Sequence, residues 1–83
     1  SWLLPALLGG RGVLSLTASG RTLTGSVLRV KNVTLERRVP GGVWEAGPAL
    51  QLQPDRTFEL AVEPARYRLA AGEAKGAPVS VTS

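Results

Sequence analysis

Residues 57–63, TFELAVE, form the clearest strand pattern in this chain of 83 residues. Phe58, Leu60 and Val62 alternate with polar residues at Thr57, Glu59 and Glu63. In an extended strand, successive side chains point to opposite faces, so this spacing makes one face apolar and the other polar. The pattern therefore predicts a half-buried strand whose apolar face lies on a protein core.

Similar short patterns recur along the rest of the chain, separated by turns that contain glycine or proline. We expect strands within residues 13–19, 21–31, 33–39, 43–46, 49–53, 66–71 and 79–82, with a bulge or bend near residues 25–28. These patterns predict an all-β fold, a small antiparallel β-sandwich of about seven strands with a transthyretin-like or immunoglobulin-like arrangement over residues 13–83. The predicted core consists of Leu35, Leu50, Leu52, Phe58, Leu60, Val62, Tyr67 and Leu69. Arg37 falls in the inward phase of its strand and is expected near an open end of the sheet.

Residues 50–73, LQLQPDRTFELAVEPARYRLAAGE, also carry a family resemblance. A turn with Asp, a Phe-centred strand, a proline corner and a Tyr-x-Leu strand resemble the carboxypeptidase regulatory-like, or transthyretin-like, sandwich domains; the matching residues are Asp55, Phe58, Leu60, Pro64, Tyr67 and Leu69. Residues 23–27 are similar to the opening strand of that family, so the resemblance covers about residues 23–83. The chain departs from the family at Arg56 and Ala65, where glycine is usual. The resemblance implies a binding, spacing or assembly module of a secreted protein, without an active site of its own.

The composition removes most catalytic and metal-binding chemistry. The chain has no cysteine, histidine or methionine, which excludes thiolate and imidazole catalysis and the familiar zinc and haem sites. Glu59 and Glu63 share a strand face, but four residues of strand separate them by about 13 Å, too far to share a proton. Arg66 and Arg68 are expected to balance these two carboxylates across the sheet. We therefore predict no catalytic residue, no metal site and no cofactor, and a protein that is not an enzyme.

The first ten residues, SWLLPALLGG, are the most apolar stretch of the chain. They are too short to span a bilayer, which takes about 20 residues, and taken alone they would also suit the end of a secretory signal. We interpret residues 1–12 as an apolar docking segment followed by a glycine hinge. The predicted subunit interface consists of Trp2, Leu3, Leu4, Leu7, Leu8, Leu14 and Leu16.

The leading functional hypothesis is a structural subunit of an extracellular, pilus-like filament on the cell surface. Such a small domain without disulfides needs another source of stability, and a neighbouring subunit that accepts the apolar segment would supply it. The predicted partner is thus the protein itself, as a homopolymer. A monomeric accessory or ligand-binding domain of a secreted protein is the alternative. The scarcity of Asn, Met and Cys is typical of proteins from hot habitats.

The net charge of +4 also permits a nucleic-acid-binding barrel of the OB type. Such surfaces interleave cations with aromatic side chains, but Phe58 and Tyr67 are phased into the predicted core and only two tryptophans remain. We therefore expect no nucleic-acid partner.

Asn32 begins the sequon Asn-Val-Thr and is the single asparagine of the chain. Alternation places Asn32 on the outward face with Thr34 and Glu36, where an N-glycan would fit. Asn32 is accordingly a candidate glycosylation site, or else an ordinary polar residue at the start of a strand.

Overall fold

The computed structural model describes residues 13–82, and these residues form strands and turns without a helix. The eight strands are β1 (Val13–Ser19), β2 (Thr22–Leu28), β3 (Thr34–Arg38), β4 (Glu45–Ala49), β5 (Thr57–Ala61), β6 (Ala65–Ala71), β7 (Ala74–Lys75) and β8 (Val79–Val81). No helix in the described part of the chain is long and apolar enough to cross a membrane. The predicted all-β class is therefore confirmed for these residues.

The strands form two antiparallel sheets that share one core. The first sheet has the order β1-β2-β5. In the second, β3 lies between β4 and β6, and the far side of β6 pairs with β7 at one end and with β8 at the other. This is the sandwich-like arrangement that the alternating patterns predicted. The single strand β4 stands where two strands were expected within residues 43–53, and the two-residue β7 was not expected.

The core lies between the two sheets. Four of the eight predicted core residues are buried in it. Leu35, Phe58, Tyr67 and Leu69 are buried as predicted. Leu50, Leu52 and Val62 are half-buried and pack against the same cluster. Several further members of this cluster were not among the predicted core residues: Leu23, Val27, Val33, Ala65 and Val81.

Leu60 is the exception, because its side chain is 38% exposed and the prediction of a core position is wrong. Its strand phase is correct, since it pairs with the fully buried Leu23 of β2. However, β5 is the last strand of its sheet, so Leu60 lies at the margin of the core.

Two further expectations differ from the structure. Strand β2 pairs with β1 and β5 without a register shift, so there is no bulge at residues 25–28; the irregularity lies instead between Thr34 and Glu36, where β3 pairs with β4. Residues 50–53 are not a strand. Arg37 agrees with its expected position, because it pairs with the buried Tyr67 at the next-to-last residue of β3. Its side chain is exposed there and lies 3.9 Å from the Glu45 carboxylate.

The turn before β5 depends on Arg56, one of the two departures from the family pattern. Arg56 has a φ of 67°, in the left-handed region that favours glycine. Its guanidinium donates hydrogen bonds to the Val27 carbonyl at 2.8 Å and the Val30 carbonyl at 2.5 Å. These bonds tie the turn to the end of β2 and hold an arginine where glycine would be the easier residue.

The corner after β5 is fixed by Tyr67. The buried Tyr67 hydroxyl donates a hydrogen bond of 2.5 Å to the Glu63 carbonyl four residues earlier. A tyrosine that bonds back to a nearby carbonyl is a recurring corner device of β-sandwiches. Together with Arg56, it sets where β5 begins and ends.

Candidate functional site

The outer side of β5 is an open sheet edge. The Arg56 carbonyl accepts a hydrogen bond from the Val27 N–H at 3.0 Å, and the Val62 N–H donates to the carbonyl of Arg21, just before β2, at 2.9 Å. Because bonded pairs alternate in an antiparallel ladder, Phe58 and Leu60 also bond towards β2. The N–H and C=O groups of Glu59 and Ala61 consequently point away from the sheet. Among residues 13–82, no strand pairs with this side of β5.

Only the first part of this edge is covered. Next to Thr57, the Gln53 N–H donates to the Thr57 carbonyl at 2.9 Å, and the Asp55 carboxylate accepts from the Thr57 N–H at 3.1 Å. No such contact follows at Glu59 or Ala61 among the described residues. The unpaired part of the edge is thus short, and the half-exposed Leu60 lies in it, between Glu59 and Ala61.

The other exposed sheet edges have features that discourage pairing. Strand β1 lies against β6 and β8 of the second sheet. Strand β4 contains Pro48, which has no N–H to donate. Strand β5 contains no proline. An added strand could therefore pair along β5 without meeting a missing N–H.

A second feature is a groove at one end of the second sheet. Its volume is about 520 Å³. It lies where β3, β6 and β8 end side by side, and its lining combines apolar residues with two arginines: Arg38, Val39, Pro40, Pro64, Ala65, Arg66, Ser80, Val81 and Thr82. This groove was not predicted from the sequence, because its residues come from three separate segments and carry no local motif.

The middle of the same sheet face carries a cluster of two cations around one carboxylate. The Arg68 Nε donates to Glu36 Oε1 at 2.6 Å, and the Lys75 Nζ lies 3.2 Å from Glu36 Oε2. The hydrogen bond from Arg68, opposed by partial burial and assisted by Lys75, holds the pKa of Glu36 below its ordinary value. The Arg68 guanidinium also lies 4.2 Å from the centre of the Trp44 ring, a cation–π contact. The three charged groups and the half-buried Trp44 ring contact one another within the domain, so we interpret this cluster as structural.

The predicted interface residues fall into two groups. Trp2, Leu3, Leu4, Leu7 and Leu8, like the proposed hinge, lie outside the described residues. Leu14 and Leu16 are half-buried in β1 and pack against the core of their own domain.

Asn32 is exposed, but it does not lie on the strand face that alternation predicted. It has a φ of 56° in the connection between β2 and β3, and β3 begins only at Thr34. Asparagine tolerates the left-handed region better than most residues, which gives Asn32 a structural role in this turn. An exposed turn is also a suitable place for a glycan, so glycosylation stays a prediction.

The described carboxylates do not form a group of three that could hold a metal ion. Glu63 is engaged by Arg21 rather than by Arg66 or Arg68, with an N–O distance of 3.0 Å. The cross-strand partners that we predicted for Glu63 are therefore wrong. The predicted absence of catalytic residues and cofactors remains an expectation.

Comparisons with known proteins add no family assignment. No family model matches the chain, and neither the curated proteins nor the solved structures include a significant match. The resemblance to transthyretin-like domains therefore stays an interpretation of the sequence.

Proposed function

We propose that this protein is the structural subunit of an extracellular, pilus-like filament, in which the N-terminal segment of one subunit docks on the next. The observation that carries the proposal is the open edge of β5, where the peptide groups of Glu59 and Ala61 point outward beside the half-exposed Leu60. An added strand would pair with these groups and cover Leu60, which is the physical basis of strand addition.

The N-terminal segment has the composition that this edge requires. Residues 1–8 contain five large apolar side chains and no acidic residue, so a docked segment could cover Leu60 without placing a second carboxylate beside Glu59. Arg11 lies three positions after Leu8 and would be available to pair with Glu59. The N-terminal segment of one subunit and the β5 edge of the next are two different surfaces. Such a contact can repeat from subunit to subunit and so build a filament.

A ligand-binding accessory domain is the second candidate, and the groove beside Arg38 and Arg66 is the observation that favours it. Nucleic-acid binding has weaker support, because Trp44 is stacked against Arg68 and both Phe58 and Tyr67 are buried. The proposed location at the cell surface rests on the resemblance to modules of secreted proteins.

Deletion of residues 1–8 tests the donor side of the proposal. We expect the shortened chain to fold and to stay monomeric in light scattering, whereas the full chain forms filaments visible by electron microscopy. Filaments of the shortened chain that match those of the full chain would contradict the proposal.

A single substitution tests the acceptor side. Ala61→Pro removes an N–H that points away from β2, so the ladder within the domain is kept while the outer edge loses a donor. We expect folded monomers that do not polymerise, with circular dichroism as the check on folding. Ala61→Ser is the matched control, because it keeps the N–H and should polymerise like the unmodified chain. Equal polymerisation of the proline and serine variants would exclude β5 as the acceptor edge.

A further inference from the structure

The groove at the end of the second sheet brings together outward-facing residues of three neighbouring strands. Arg38 pairs directly with Arg66, and Arg66 pairs with Ser80. Continuing these registers by two residues places Pro40, Pro64 and Thr82 in a second row on the same face. All six residues line the groove. Two guanidinium groups and two hydroxyl groups therefore lie beside two proline rings.

The arginine pair is a combination that sheets usually avoid, since like charges directly opposite each other destabilise the pairing. The next pair on the same face of these strands, Glu36 and Arg68, consists of opposite charges in direct contact at 2.6 Å. Among the described residues, no carboxylate lies within 4 Å of a charged nitrogen of Arg38 or Arg66. An anion bound between the two guanidinium groups would remove their mutual repulsion.

The Arg38 side chain is also held in place. Its Nε donates a hydrogen bond of 3.1 Å to the Gly42 carbonyl in the turn after β3. The terminal nitrogens of the same guanidinium remain able to donate to a ligand, because each arginine offers five N–H groups. This hydrogen bond already restricts the Arg38 side chain in the free protein, so a ligand that binds to it loses less conformational entropy.

We infer that this groove is a binding site for a small organic carboxylate with an apolar tail. Guanidinium groups match the planar geometry of a carboxylate, and the Ser80 and Thr82 hydroxyls supply further donors. Val39, Pro40 and Pro64 offer apolar surface for the tail, and the volume of about 520 Å³ is in the range of small-molecule sites. A simple inorganic anion would leave the proline rings uncovered, and a neutral apolar molecule would leave the arginine pair unbalanced.

Octanoate is a suitable probe, with acetate and octanamide as matched compounds that lack the tail and the charge. Isothermal titration calorimetry of the full chain should show saturable binding of octanoate, and at least tenfold weaker binding of the other two compounds. Equal binding of acetate would show a site for charge alone, and equal binding of octanamide would show a site for apolar groups alone; either result would overturn the inference. Absence of saturable octanoate binding would do so as well.

Variants locate the site on the surface. Arg38→Gln combined with Arg66→Gln should weaken octanoate binding at least tenfold. Its melting temperature should stay close to that of the unmodified chain, because removal of a repulsive pair offsets the loss of the exposed hydrogen bond from Arg38 to Gly42. Arg37→Gln is the control: Arg37 alternates to the other face of β3 and lies near Glu45, so octanoate binding should be unchanged. Equal affinities of the unmodified chain and the double variant would place any bound octanoate elsewhere. The site is independent of the proposed filament, so the chain without residues 1–8 should bind octanoate equally well.

Discussion

Gly25 of β2 pairs with Phe58 of β5, and two ring carbons of Phe58 occupy the position that a Cβ atom on Gly25 would take. A Cβ atom placed on Gly25 would be 2.8 Å from Cε2 and 2.9 Å from Cζ of Phe58, and 2.2 Å from the Ser15 carbonyl oxygen. All three distances are shorter than a carbon atom tolerates. The buried ring therefore fills the space that the glycine leaves, and the interruption in the alternation of β2 marks this packing rather than a bulge.

The first prediction is that Gly25→Ala destabilises the domain by roughly 3 kcal/mol, because both the aromatic ring and a backbone carbonyl must move. Gly72→Ala is the control: Gly72 has a φ of 62° and open space around it, so only the backbone strain of about 1 kcal/mol applies. Urea denaturation followed by circular dichroism measures both free energies of unfolding. Equal losses in the two variants would show that the packing of Phe58 on Gly25 is unimportant.

The second prediction compares two residues on one face of β5. Phe58→Ala should cost on the order of 3–5 kcal/mol, enough to unfold so small a domain, because the ring is 5% exposed at the centre of the core. Leu60→Ala should cost only about 1 kcal/mol in the shortened chain without residues 1–8, because much of that side chain is already in water. Thermal unfolding of both variants, each made in the shortened chain, measures how much stability each substitution removes. A Leu60→Ala variant as unstable as Phe58→Ala would contradict the marginal position of Leu60.

The strand phases of this protein could be predicted from alternation, but the depth of each residue could not. Alternation assigns Phe58 and Leu60 to the same face, and the structure agrees; their different burial follows from which strand ends the sheet, and that depends on pairing between distant segments. The same limit applies to the groove, since Arg38, Arg66 and Ser80 become neighbours only through the second sheet. The open edge of β5 likewise could not be predicted without the strand order. The apolar composition of residues 1–8, in contrast, is visible in the sequence alone.

The third prediction concerns the strained turn at Arg56. Arg56→Ala keeps the left-handed backbone and loses both hydrogen bonds to the carbonyls of Val27 and Val30, whereas Arg56→Gly loses the same bonds without the strain. Both variants should be less stable than the unmodified chain, and the alanine variant should be less stable than the glycine variant by about 1 kcal/mol. Equilibrium unfolding in urea gives the order. If the glycine variant proves more stable than the unmodified chain, the side-chain bonds of Arg56 do not compensate for its backbone strain.

The fourth prediction is that acid weakens the domain through Glu36. The hydrogen bond from Arg68 lowers the pKa of Glu36 in the folded state below its ordinary value of 4.5, despite the opposing effect of partial burial. In the pH range between the folded and unfolded pKa values, the unfolded chain binds more protons, so stability must fall as the pH falls. The contribution of Glu36 is therefore complete above about pH 4.5 and is lost as the pH decreases through the folded pKa. Free energies of unfolding measured from pH 7 to pH 3 should show the unmodified chain converging on Glu36→Gln below pH 4.5.

Glu73→Gln is the matched control for this titration, because it removes the same charge from an exposed residue in the turn between β6 and β7. Among the described residues, Glu73 takes part in no ion pair, whereas Glu36 contacts both Arg68 and Lys75. We expect Glu73→Gln to follow the acid-induced loss of the unmodified chain. A constant difference between the unmodified chain and Glu36→Gln over the whole pH range would show that Glu36 does not couple folding to protonation. The network around Arg68 would then stabilise the second sheet through the contact of Arg68 with Trp44, which does not depend on the charge of Glu36.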